Sequence, residues 1–188
     1  MITPNPDSPE SHLTSLGPIF LGALQLRATG KVDAALDAFK DLLLREPRLA
    51  EPRLEIGRIY LEMGRLDEAE IEAREAVRVL EAGGQWTEDL PENVVLALAW
   101  ALLGEILKEQ ATTDEVVFGD AERFKSLLEQ SKLAFQRAAQ LDPSDASSFM
   151  NALELADESD PPEARELGDD LADEEADEPE GPVEFGEG

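Results

Sequence analysis

The feature that most restricts this chain is an internal repetition. Superposing Gly30 on Gly64 brings the surrounding sequence into register at a spacing of 34 residues. The same offset places Ala23 on Gly57, Leu26 on Tyr60, Val32 on Leu66 and Ala35 on Ala69. In both copies an apolar helical stretch runs up to the glycine, the chain turns, and a second helical stretch begins. The first copy ends at Arg45-Glu46-Pro47, where proline has no N–H to donate and turns its predecessor away from helix. A chain that repeats such a unit cannot bury the apolar face of one unit alone. It must stack neighbours into a row.

A third unit is present but interrupted. Trp100, Leu103, Gly104 and Leu107 fall on one helical face within a run from Glu92 to Lys108, and Phe135, Ala138 and Pro143 reproduce a second helix and its stop. The intervening Ala111–Gly119 stretch is acidic and β-branched and reads as a loop or an extended helix end, with Asp120 as the N-cap of the next helix. After Pro143, Phe149, Leu153 and Ala156 recur at helical spacing, as expected of a terminal helix closing the last apolar groove.

These residues resemble the tetratricopeptide repeat family. Trp100-x2-Leu103-Gly104-x2-Leu107 stands in the third unit; Ile56-Gly57-x2-Tyr60, Gly64, Ala69 and Ala76 stand in the second; Gly30, Ala35, Phe39 and Pro47 stand in the first. The first unit has Ala23 for the usual glycine and Leu42 where a small residue is common; the second has Ala73 for an aromatic and Glu81 for proline. The expected fold is all-α: a right-handed solenoid of three helix pairs plus a C-terminal capping helix. Its boundaries are a disordered N-terminus over 1–15, the repeat domain over 16–157, and a disordered acidic tail over 158–188.

The charge needs dividing before it is read. From Ala156 to Gly188 there are 15 acids against Arg165, a net −14 of the chain's −27. Such a segment buries too little apolar surface to offset its ordering entropy. It is either a solubilising appendage or a dock for a basic partner, or it folds back onto Arg27 and Arg58 as a tethered competitor. No basic face is offered to nucleic acid or to an anionic membrane. No apolar run is long enough to span a bilayer, and MITPNPDSPESHL lacks the basic start and apolar run of a signal peptide, so a cytoplasmic location is expected.

Chemistry finds few candidates. There is no cysteine, and the one histidine, His12, lies in the proline-rich N-terminus, so neither zinc ligation nor a histidine-based triad has its residues. Gly83-Gly84 runs into Gln85-Trp86 rather than into a phosphate loop's Lys-Ser, and the acids lack the spacing of a calcium loop. The chain is expected not to be an enzyme and to need no cofactor or metal.

The resemblance implies protein binding instead. In this family the first helix of each pair lines a groove, which assigns Phe20, Leu24 and Arg27, then Leu54, Arg58 and Leu61, then Leu98, Ala101 and Glu105. A partner's peptide or helix would lie there. Trp100 and Tyr60 sit at core positions, whereas Trp86 lies outside the repeats and either covers the solenoid or anchors a partner. The clamp by which some repeats grip a chaperone's C-terminal carboxylate is absent, because its places hold Phe20, Leu24, Glu55, Leu98 and Leu102. Adaptor, scaffold and chaperone roles are therefore expected. A constitutive structural subunit, or a small chaperone similar to the three-repeat translocator chaperones of type III secretion, are the alternatives.

Overall fold

A computed structural model of the chain describes residues 9–84 and 90–158. Among these the regular structure is helical: α1 Pro9–Ala28, α2 Val32–Arg45, α3 Glu51–Glu62, α4 Leu66–Glu81, α5 Glu92–Ala111, α6 Asp114–Gly119, α7 Ala121–Leu141 and α8 Ala146–Glu158. The pairs α1/α2, α3/α4 and α5/α7 are the three expected units, and α8 packs on α7 as the cap. Each helix touches chiefly its neighbours along the row, and α3 also meets α5, as in a solenoid.

The 34-residue register has a backbone cause. At the end of α1, Gly30 takes φ +77° and donates its N–H to the Arg27 carbonyl (2.9 Å), while the Lys31 N–H reaches back to Leu26 (2.9 Å). At the end of α3, Gly64 at φ +70° does the same to Leu61 (3.0 Å), and Arg65 to Tyr60 (2.8 Å). These are paired 5→2 and 6→1 caps, which satisfy the last carbonyls of the helix and turn the chain sharply; a side chain is strained at that φ. Arg65, carried back by this turn, lies 4.4 Å over the Tyr60 ring.

α2 ends where Glu46 becomes extended before Pro47, and α3 opens with Pro52 in its first turn, where a missing N–H costs nothing. The core runs through the row without a break, from Leu16 in α1 to Leu155 in α8. The middle pair is covered on both sides. Within α3, for example, Leu54, Ile56, Gly57, Ile59 and Tyr60 are all buried.

Four expectations are corrected. The N-terminal boundary at 16 moves, because α1 already begins at Pro9, a residue pre-organised for the first helical position; residues 1–8 lie outside the described residues. The interrupting stretch is neither loop nor extension but contains the short helix α6, pinned by the single buried side chain of Val116. The capping helix turns a different face inward: Ser148, Ala152 and Leu155 are buried and Leu153 is exposed. Phe149 and Ala156, read as part of that face, have side chains outside the described residues. Leu54, assigned to the groove, is only 4% exposed and belongs to the core.

Asp120 is the N-cap of α7 as the sequence implies: its Oδ1 accepts from the Arg123 N–H at 2.9 Å. Asp120→Ala should lose about 1 kcal/mol, measured by urea unfolding. An unchanged midpoint would mean that the cap is not needed.

Candidate interaction face

The helices that the repeat pattern assigns to the groove, α1, α3 and α5, are joined by charge. Arg27 near the end of α1 bonds both Glu55 and Glu62 of α3. Glu55 also accepts from Arg58, one turn further along α3, at 2.6 Å. Glu55 is 8% exposed, so a carboxylate held nearly out of water sits between two guanidiniums. Burial alone would lower the Arg27 pKa, but Glu55 and Glu62 hold it above its ordinary value.

Around this ribbon the predicted residues separate into two groups. Phe20 and Leu24 are half-buried and packed against the core, with the Phe20 ring centroid 5.7 Å from that of Phe39. They face inward as much as outward. Leu61 and Ala101 are half-buried, whereas Leu98 is 37% exposed and Glu105 reaches solvent. Leu54 contributes nothing accessible. Trp86 lies outside the described residues.

Glu105 is the charged group left over. It makes no ion pair among the described residues, and crowding by the protein pushes its carboxyl above the usual range. Arg58 opposes that shift and Asp145, at the start of α8, adds to it. Asp145 is itself held below the ordinary range by the Ser147 and Ser148 hydroxyls, at 2.6 and 2.5 Å.

Glu62 and Asp145 do not stand out as groove residues in the sequence, and Glu55 appears there only as a mismatch to the chaperone clamp. Glu55 stands three before Arg58, a spacing that pairs charges on one helix, but its bond to Arg27 spans two helices and leaves no local signature.

Elsewhere, Trp100 packs against the core and borders a cleft of about 210 Å³ between α4 and α5, with Val77 and Leu103 on its walls. No group of three or more potential metal ligands occurs among the described residues, nor does any helix long and apolar enough to cross a membrane.

Residues 26–89 match the family model described as tetratricopeptide repeat. Over that stretch, about a third of the chain, the sequence is similar to tetratricopeptide repeats. The matched stretch takes in the first glycine cap, α2, the whole second helix pair and the second glycine cap. In tetratricopeptide repeats, paired helices form protein-interaction modules, and the stacked pairs seen here have that architecture. Among solved structures, the chain is similar to "MamA RS-1 ArsTM double mutant", at 19% identity and a TM-score of 0.48, covering 77% of each chain. It is also similar to "Crystal structure of MamA protein", at 15% identity and a TM-score of 0.38, covering 85% of this chain and 87% of that one. No curated protein matches the chain.

Proposed function

We propose that this chain is a non-catalytic protein-interaction module (adaptor, scaffold or chaperone) that holds a peptide or helix of a partner protein along α1, α3 and α5. The supporting observation is the state of the charges on that face. Arg27, Glu55, Arg58 and Glu62 are already bonded to one another, so the apolar surface of Leu61, Ala101 and Leu98 is framed by groups fixed in place. A partner meeting such a face loses little to side-chain ordering, and its apolar side chains gain roughly 25 cal/mol per Å² of apolar surface covered before the costs of association.

A constitutive structural subunit is the second reading, favoured by a different observation. Ile71 of α4 and Leu133 of α7 are 65% and 54% exposed on the outer helices, which suits permanent packing against a larger assembly. Affinity capture from native extract, with mass spectrometry, separates the two. Leu61→Gln/Leu98→Gln should lose the captured partner while circular dichroism stays helical. If only Ile71→Gln/Leu133→Gln loses it, the outer face is the interface and the groove reading falls. Leu54 is unsuited to this test, since a polar group at a buried position would unfold the second pair.

A further inference from the structure

We propose that the α1/α3/α5 face is complementary to a cationic amphipathic helix, whose apolar side chains cover Leu61, Leu98 and Ala101 and whose lysine or arginine meets Glu105. This rests on the reading of that face as the partner site, and it specifies the partner's chemistry.

Charges already committed and charges left over decide the sign of the partner. An acidic partner would need a free cation, but Arg27 is bonded to Glu55 and Glu62, and Arg58 to Glu55. Recruiting either guanidinium means giving up a charge-assisted bond to a nearly buried carboxylate. Glu105 has the opposite status. It lies two turns from Leu98 on the same side of α5, so one ligand helix can touch both. The nearby cation on α3, Arg58, is engaged by Glu55, and the other neighbour, Asp145 just before α8, is another acid. Lys108, one turn beyond Glu105 on α5, is likewise taken up by Glu154 of α8. Counting both, the acids Glu55, Glu62, Glu105, Asp145 and Glu154 outnumber Arg27, Arg58 and Lys108, so the face as a whole is negative. A cation arriving at Glu105 would pair the leftover carboxylate without breaking any existing bond.

The same count argues against the acidic tail as an intramolecular occupant of this face. A segment with 15 acids would meet two arginines already neutralised and at least one unpaired carboxylate. The chain's net −27 instead attracts a cationic partner from a distance and raises its encounter rate.

The test uses the full chain and a fluorescein-labelled amphipathic leucine–lysine helical peptide, titrated by anisotropy at near-physiological salt. Glu105→Gln should weaken binding about tenfold, because a charge-assisted contact is removed. Asp37→Asn, the same charge change on the outer helix α2, should leave binding within about twofold, since an exposed charge away from the face acts only through a screened field. Equal effects of the two substitutions would overturn the inference and assign the peptide's attraction to overall charge. If Leu61→Gln/Leu98→Gln weakens binding while Glu105→Gln does not, the partner face stands and its cation specificity is wrong. If Leu61→Gln/Leu98→Gln leaves binding unchanged, the partner face itself is wrong.

Discussion

Replacing Gly104 by leucine is expected to break the third helix pair. A Cβ at this position would stand 3.0 Å from three atoms of the Phe135 ring, closer than ordinary carbon contacts allow. Phe135 is 1% exposed, so the ring has no vacant space into which to swing. Moving α7 away is no easier. The Ser131 hydroxyl donates to the Gly104 carbonyl at 2.7 Å inside the same crossing, and separation would strand both groups away from water. Leucine adds three further carbons beyond that Cβ. Overpacking of this kind, with loss of the buried hydrogen bond, should cost about 3 kcal/mol or more. For a folded unit of this size that corresponds to a fall in melting temperature on the order of 10 °C. A double-mutant cycle assigns the cause: Gly104→Ala combined with Phe135→Leu should be less damaging than the two losses added together. A leucine variant that melts with wild type would show that α5 and α7 do not approach so closely.

Gly57 makes the contrast clear. It is the equivalent position in the second pair, yet the nearest atom to a Cβ there is the tip of the Leu102 side chain, at the longer distance of 3.2 Å, rather than three atoms of a ring. Gly57→Leu is therefore expected to destabilise less than Gly104→Leu. Repeat register identifies both glycines as close-approach points. It cannot rank them, because the rank depends on whether the opposing atom is a rigid ring or a flexible tip.

The same limit explains what the sequence left open elsewhere. Gly30 and Gly64 were legible because a left-handed cap requires glycine at one fixed place, a local rule. The groove positions on α3 were not, because that helix is buried on nearly every side and its pattern does not separate inner from outer apolar residues. Leu54 was misplaced for that reason. In α8, Leu153 and Leu155 are two residues apart and point to different faces of the helix. Choosing between them needs the position of α7, and local spacing does not contain it. The short helix α6 was hidden by Val116 and Val117, whose branched side chains disfavour helix; its anchorage comes from burial of Val116 rather than from propensity. Phe118 beside it is 85% exposed, an apolar side chain whose place no periodicity announced.

Glu55 carries the second large effect, and it joins stability to binding. Glu55→Gln keeps the size of the side chain but removes the charge that both Arg27 and Arg58 contact. Arg27 retains Glu62, whereas Arg58 loses its ion-pair partner. Breaking a buried pair by removing one member commonly costs about 3–5 kcal/mol, because the other charge stays behind without compensation. Here the two guanidiniums are 23% and 35% exposed and recover part of their hydration, so a loss of about 2 kcal/mol is expected. The loss should shrink as salt is raised, since the partly exposed ends of the ribbon are screened. Binding should change with it. Arg58, released, is free to turn toward the Glu105 carboxylate that already feels its charge. The leucine–lysine peptide would then compete with an internal cation and bind more weakly, even where the variant is fully folded by circular dichroism. A Glu55→Gln variant with wild-type urea midpoint at low salt would mean that the Arg27–Glu55–Arg58 ribbon does not hold the first pair to the second. Retained stability together with undiminished peptide binding would also leave Glu105 without the isolation on which its role depends.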